Sequence, residues 1–532
     1  MVGEGLQENS VRRADGTGQG KIYRNPVISG FYPDPSVLRV GDDFYLVTSS
    51  FEYFPAVPIF HSKDLVNWKQ IGHILDRESQ VNLDERRSSS GIYAATLRYH
   101  DGRFYMITTD VRGIGNFYVW AERPEGPYSD PIRIPYGNID PSLMFDDDGK
   151  AYVTAQNGEG AESHIIQYEI DIRTGEALTE PVVVCRGDGG VWTEGPHLYK
   201  INGMYYVFCA CGGTGEDHRE LVARSSHVFG PYELYPQPVL THNQMQDHPL
   251  QYIGHADLVD DRNGNWWAVF LGVRPVPSSE GSFTLLGRET FLAPVIWTED
   301  GWPVIDNNVG NVGFLMETDG LLAPQEETAQ LEQDDFDGSV LDLSWAFVRT
   351  EPKNSYSLTE RPGWLRLKGN ALTLSDVATP ACVLKRQRHF RMRMSACMEF
   401  HPRADGEEAG LCVRYNDSAH YEIGVKNIAG ERFVVVSCTM KGVTEGIGRM
   451  KLMDDAEAAP VFLAVTSDEE AYSFSCSSDG QEWRELGSAP TRLLSTNVNA
   501  GFLGVCAGLY ATGNGTACQT PADFDWFRYE IL

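Results

Sequence analysis

Asp101-Gly102-Arg103-Phe104-Tyr105-Met106-Ile107 is a polar turn followed by an alternating apolar run, and the same unit recurs along the first half of the chain. It returns as Gly41-Asp42-Asp43-Phe44-Tyr45-Leu46-Val47, Asp147-Asp148-Gly149-Lys150-Ala151-Tyr152-Val153, Asn202-Gly203-Met204-Tyr205-Tyr206-Val207 and Asn263-Gly264-Asn265-Trp266-Trp267-Ala268-Val269. Asp-Gly and Asn-Gly supply the positive φ angles of tight hairpins, and the residues after them keep the period of two of half-buried strands. Between the copies lie second strand pairs that close on similar phrases, among them His61-Ser62-Lys63-Asp64-Leu65-Val66-Asn67-Trp68, Glu125-Gly126-Pro127-Tyr128 and Phe229-Gly230-Pro231-Tyr232. A spacing of roughly 45 to 60 residues matches one four-stranded sheet per repeat. Residues 21–306 are therefore predicted to form a five-bladed β-propeller. Its innermost strands would converge on an axis, where polar side chains from different blades can share a pocket.

The rest of the chain reads differently. Residues 307–332 lose the repeat and turn acidic, as a linker would. From 333 to 532, Asp335-Phe336-Asp337-Gly338, Trp345, Trp364-Leu365-Arg366-Leu367 and Phe524-Asp525-Trp526-Phe527-Arg528-Tyr529 punctuate many short alternating runs, which predicts an antiparallel β-sandwich. The fold class is all-β in two domains, as a length of 532 residues suggests. Residues 1–20 are polar and Gly-rich, and are expected to be flexible. They lack the apolar segment of a secretory signal, and no run in the chain is long enough to span a bilayer. With 44 Lys plus Arg against 74 Asp plus Glu, the formal charge is −30, which would repel nucleic acid and anionic membranes and suits a neutral substrate such as a sugar. Ten scattered cysteines show neither zinc spacing nor a disulfide framework, so a reducing cytoplasm is expected, and Cys209 and Cys211 read as packed thiols on one strand face.

Three acids stand at strand entrances. Asp34-Pro35-Ser36 and Asp140-Pro141-Ser142 each precede an apolar run and then a hairpin turn, and Glu194-Gly195-Pro196 repeats the relation one blade later. Proline biases the residue before it toward extended backbone and withdraws a ladder donor. A single Asp-Pro-Ser is usually only a turn, and Glu194 with Trp192 beside it reads equally as an exposed turn and a packing residue. Three acids in one register of successive blades point to a shared site. A carboxyl beside an indole loses hydration and holds its proton to higher pH, as a general acid requires.

From Asn25 to about Ile305 the sequence resembles glycoside hydrolase family 43, the five-bladed propellers that include β-xylosidases and α-L-arabinofuranosidases. The phrases that carry the likeness are NPVISGFYPDPSV, SSFEYFPAVPIFHSKDLVNW, GIYAATLRYHDGRFYMITT, IDPSLMFDDDGKAYV, VWTEGPHLYK, GHADLV and LGRETFLAPV. The resemblance implies Asp34 as general base, Glu194 as general acid and Asp140 as the acid that orients Glu194 and tunes its proton. It also implies Arg288 as a ligand of sugar hydroxyls and His255 as a residue near the axis, where some relatives hold calcium or water. Calcium near His255 is one expectation and a structural hydrogen bond the other, since one histidine is no calcium site; no cofactor is required. Phe51, Phe54 and Tyr93 are candidates for the wall beneath a sugar ring. The implied activity is exo-acting, inverting hydrolysis that frees terminal β-D-xylose, or α-L-arabinofuranose, from xylo- or arabinoxylo-oligosaccharides; a non-catalytic sugar-binding propeller is the rival reading. Many relatives form homo-oligomers. The sandwich resembles the C-terminal domain of longer members, whose loop reaches the pocket rim; here that loop is expected around Gly504-Val505-Cys506-Ala507-Gly508, with Cys506 in place of an aromatic. Cys211 stands where the family often has an acid, and Ala56 and Ala95 replace a frequent Gly and Pro.

Overall fold

Asp101-Gly102 and Asn202-Gly203 take positive φ at both positions (46° and 79°, 51° and 80°) and close two-residue loops in which His100 faces Arg103 and Ile201 faces Met204. These mirror-image turns match the twist of the strands they join. The computed structural model describes residues 21–305, 312–318, 325–326, 329–452 and 459–532, so the segment 1–20 lies outside the described residues. In it the hairpins grow into five antiparallel sheets in chain order. Their first long strands are Ser36–Val40, Thr96–His100, Ile139–Phe145, Glu194–Ile201 and Gln251–Asp260. Each of these strands packs against the next, and the last packs against the first.

A buried carboxylate holds this ring at its centre. Asp257 accepts from Ser36 Oγ (2.6 Å) and the Val37 amide (3.0 Å) of the first sheet and from Arg98 of the second (2.9 and 3.0 Å), and it also accepts the Tyr199 hydroxyl of the fourth. Burial alone would raise its pKa, but Arg98 and His197 hold it well below the usual carboxylate range. The ring is fastened where Asn25 brackets Leu292, donating to its carbonyl (2.9 Å) and accepting from its amide (3.0 Å).

The C-terminal half is a sandwich. One sheet runs through Ala522–Ile531, Met392–Glu399, Val461–Ser467, Ala471–Ser477 and Arg484–Pro490; the other runs Ala381–Arg386, Cys506–Thr512, Glu408–Asn416, Ala419–Ile428, Glu431–Met440, Val443–Lys451. Alternation along Ala419–Ile428 turns Tyr421, Ile423 and Val425 into the core, with Leu463, Val465, Phe474 and Phe524 in the same buried cluster. That cluster continues into the first sheets, because strand Tyr53–Phe54 pairs with Phe347–Val348 of the second half. Buried charge seals the junction: Arg414 meets the Tyr53 hydroxyl (3.1 Å) and Asp417 (2.6 Å), and Asp417 also takes Arg349 (2.6 Å) and Ser88 (2.9 Å).

The acidic stretch read as a linker is tied down wherever it is described. Leu315–Thr318 pairs with Lys21–Arg24, the Glu326 amide donates to Asn67 (2.6 Å), and Leu331–Asp334 pairs with Ala522–Ile531. Charge composition suggested a tether, but strand pairing is set by backbone groups and acidic side chains do not forbid it. All ten cysteines are unbridged; Cys209 and Cys211 are packed in one buried cluster, and Cys209 Sγ also lies 3.8 Å from Cys185. Among the described residues no helix is long and apolar enough to cross a membrane.

Candidate active site

The two Asp-Pro steps were expected to be extended. They are not: Asp34 has φ 54° and Asp140 φ 52°, both left-handed. Aspartate tolerates this region better than most residues, and the surrounding ladder offsets a cost of about 1–2 kcal/mol. The third position of this kind is Gly195, at φ 57° before Pro196, so Glu194 stands one residue ahead of it. Pairing slips here: the register shifts between Ile139 and Ser142 in the third sheet and between Glu194 and His197 in the fourth. Such bulges re-aim side chains at the mouth of a sheet. The fifth sheet does the same around His255, at φ 54°.

These turns bring the predicted acids together. Asp34 is buried, accepting Ser49 Oγ on Oδ2 (2.5 Å) and Arg288 Nη1 on Oδ1 (2.7 Å), with His255 Nδ1 at 3.6 Å. Asp140 accepts the Gly195 amide on Oδ2 at 3.1 Å, which ties it to the residue that follows Glu194. Glu194 is half-buried, and its carboxyl is held well above the usual range, first by burial and then by the negative charges of Asp140 and Asp34, with Arg288 pulling the other way. Asp140 is raised as well, by burial first and by Asp34 in addition, against the pull of His255 and Arg288. Trp192, the indole expected to dehydrate Glu194, is itself exposed and lies close to Gly213. Asp34 thus adds to the rise of both Asp140 and Glu194, with Arg288 opposing it at each.

Gly195 makes this closeness possible. A Cβ there would lie 2.8–2.9 Å from three atoms of the His255 ring. Behind His255, Glu220 is wholly buried and accepts the Ala256 amide (3.0 Å), and burial keeps its carboxyl protonated well above the ordinary range. Sequence reading missed Glu220, since nothing in Arg219-Glu220-Leu221 sets it apart from a solvated strand acid. Around His255 the neighbours are Asp34, already engaged by Arg288, and His197, which faces Arg98 at 3.1 Å. Among the described residues no three His, Cys, Asp or Glu are grouped to hold a metal. This donor set does not fit a calcium cage, which takes six to eight oxygens.

Of the predicted wall residues, Phe51 and Tyr93 pack on each other (ring centroids 5.0 Å), and Arg288 lies 5.6 Å over Phe51. Tyr93 senses the site: burial lifts its hydroxyl to about 12, with Arg288 opposing and Asp140 and Asp34 adding. Phe54 is used elsewhere, in the strand that pairs with Phe347–Val348. The sandwich does reach this wall, but through a different residue from the one expected. Phe502 stacks on Phe51 (5.9 Å, 27°), meets Tyr93 (6.0 Å) and lies beneath Arg288 (5.7 Å). Cys506 is buried at the start of a strand, paired in register with Arg386 and Arg414. The turn is fixed by close backbone approach: Gly504 packs on Leu286 and Gly287, and the Phe502 amide donates to Ser89 Oγ (3.0 Å). An aromatic between two glycines, Gly501-Phe502-Leu503-Gly504, was the available signal. Cys211, in place of an acid, touches Asp188 (3.4 Å), which forms a two-pronged pair with Arg219 (2.7 and 2.5 Å).

The profile of Glycosyl hydrolases family 43 matches residues 23–303, the five sheets and all three acids. The chain belongs to this family. Residues 333–530 match the beta xylosidase C-terminal concanavalin A-like domain. A non-reducing end alpha-L-arabinofuranosidase of Bacteroides ovatus is 45% identical over 96% of this chain and 95% of its own length. A xylosidase/arabinosidase of Butyrivibrio fibrisolvens is 38% identical over 96% of this chain and 99% of its own. The solved structure titled Bacteroides ovatus Xyloglucan PUL GH43B superposes with a TM-score of 0.91 at 44% identity, covering 96% of this chain and all of that one. This family 43 protein is a glycoside hydrolase with a C-terminal β-sandwich.

Proposed function

We propose that the five sheets are the blades of a propeller and that the enzyme is an exo-acting, inverting glycosidase removing a terminal pentose from short xylan-type chains. Glu194 is the general acid: its protonated carboxyl gives its proton to the glycosidic oxygen as the C1–O bond breaks. Asp34 is the general base, taking a proton from the water that attacks C1 from the opposite face. The products are a pentose of inverted anomeric configuration and a chain shortened by one unit. Inversion needs the two carboxyls roughly 6.5–9.5 Å apart to admit that water. Asp140 keeps the proton on Glu194 by like charge and steers it through the Gly195 amide. Arg288, between Asp34 and the Phe51–Phe502 wall, is the hydroxyl ligand of the terminal sugar.

What supports this reading is the convergence of three acids, with the Glu194 carboxyl raised first by burial and then by its two neighbours and a guanidinium bound to Asp34. The wall that Phe502 lends to the site suits a pocket for a chain end. β-D-xylose is the first substrate proposed. α-L-arabinofuranose is the second, favoured by the name of the 45% identical relative. Asp34→Ala and Glu194→Ala should stay folded and each lose at least ~100-fold in kcat on an activated aryl pentoside's natural oligosaccharide counterpart, the scale of general acid–base catalysis. Comparing kcat/KM on aryl β-D-xyloside and aryl α-L-arabinofuranoside, with NMR of the first-formed anomer, settles substrate and stereochemistry. Near-normal turnover in either variant, or a retained anomer, defeats the assignment.

A further inference from the structure

The outer face of the six-stranded sandwich sheet carries a polar cleft of about 570 Å³, within the ~300–1,000 Å³ typical of small-molecule sites. Its floor follows from strand alternation. His420, Glu422 and Lys426 project from one strand on the face opposite the Tyr421–Val425 core, and the register sets His420 beside Thr439 and Glu422 beside Ser437. Arg414, next to His420 in the same row, is sealed against Tyr53, so the cleft opens where the junction between the two halves ends.

The charges on its floor are paired or neutralised, while Arg449 lines the cleft as a cation over the Phe433 ring (5.7 Å). Glu408 is engaged by Tyr510 (2.7 Å), Asn514 (2.9 Å) and Lys426 (2.8 Å). Glu422 accepts Ser437 Oγ at 3.1 Å, and burial followed by the charge of Glu408 lifts it to about 8, so at neutral pH it is mainly an uncharged carboxyl. His420, buried and pushed down to about 3 by burial and then Arg414, is a neutral imidazole. Its Nε2 meets Ser375 Oγ at 3.1 Å, while Nδ1 has no hydrogen-bond partner and Glu422 lies 3.8 Å away. A floor of uncharged donors and acceptors, with a buried nitrogen left unpaired, matches hydroxyl groups better than an ion. Val435 and Ile447 add apolar surface for the C–H face of a sugar ring.

We propose that this cleft is a second carbohydrate site, taking a neutral β-1,4-linked oligosaccharide away from the three acids. A second hold on the same chain would raise its effective concentration at the first. Gly446 offers a clean block: it lines the cleft, and a Cβ there has nothing within 4 Å. The test is calorimetric titration of full-length Glu194→Gln with xylohexaose and with cellohexaose, repeated after adding Gly446→Phe or, as an independent plug on the same edge strand, Thr444→Trp. The expected result is a binding event that either plug weakens at least tenfold. In the otherwise wild-type enzyme, both plugs should leave kcat on an aryl pentoside unchanged. No event beyond the one at the three acids with either sugar, or an event indifferent to both plugs, overturns the proposal. Because the aryl pentoside is read separately, inactive wild-type enzyme would count against the function proposed above and not against this cleft.

Discussion

Gly195→Ala tests whether the close approach of His255 to the fourth sheet organises the site. Two costs are readable from the structure. At φ 57° the added methyl group carries the left-handed penalty, about 1–2 kcal/mol. It also meets the His255 ring at 2.8 Å, and reaching an ordinary 3.4–4 Å contact requires a shift of 0.6–1.2 Å. The ring is buried and has Asp34 at 3.6 Å, so it cannot retreat freely; overpacking of this kind costs about 1–3 kcal/mol. A loss of about 2–5 kcal/mol in stability follows. A displacement near 1 Å among reacting groups costs on the order of 100-fold in rate, so kcat should fall ~10- to 100-fold. Gly203→Ala is the matched control: its φ is 80°, it lies in the turn at the far end of the same strand, and nothing stands within 4 Å of its Cβ. It should lose about 1 kcal/mol and no activity. Urea unfolding with kcat on an aryl pentoside measures both. Equal effects in the two variants would refute the claim that the His255 contact, over and above backbone strain, shapes the site.

The remaining tests use other contacts. Glu194→Gln should be more heat-stable than wild type at neutral and higher pH. The raised carboxyl makes the folded state bind the proton more tightly than the unfolded one, so wild-type stability falls as pH rises above the ordinary 4.5, and the advantage of Gln should vanish below that value in thermal scans. Asp417→Ala leaves Arg349 and Arg414 buried with fewer partners and should destabilise by about 3–5 kcal/mol in denaturant; a change within ~1 kcal/mol would show the junction does not rely on it. Phe502→Ala removes ring contacts worth about 0.5–1.5 kcal/mol each, and should lower kcat/KM ~10-fold while moving Tm little, which separates a sugar wall from a packing residue.

What the sequence disclosed and what it withheld divide along the range of the interactions involved. Asp-Gly and Asn-Gly turns are local, so the hairpins were legible from composition alone. The acids were legible because each leads into a proline and an apolar run, although Glu194 stands one residue ahead of the position that Asp34 and Asp140 share. The left-handed φ of Asp34 and Asp140 was not legible, because the local preference of a residue before proline points the other way. It is overridden by long-range bonds, among them those from Arg288 and Ser49 to Asp34 and from the Gly195 amide to Asp140. The same holds for Phe502, whose partners Phe51 and Tyr93 lie more than 400 positions away, and for Glu220, whose meaning comes from the amide of Ala256.

If Asp34 and Asp140 hold an unfavourable backbone conformation only because distant groups bind their carboxylates, the same bonds that position the charge also maintain the bulge. Removing Arg288 should then do more than lose a ligand of the sugar: with its Nη1–Oδ1 bond gone, Asp34 keeps the Ser49 bond and His255 at 3.6 Å, and the strain at φ 54° is less well opposed. Arg288→Lys keeps a cation near Asp34 but loses the planar fork and the cover it gives Phe51 and Phe502. It should lower kcat as well as raise KM, because a displaced base affects the transition state and not binding alone. A rise in KM with kcat unchanged would mean that Ser49 and the sheet hold Asp34 without help, and that the arginine serves the substrate only.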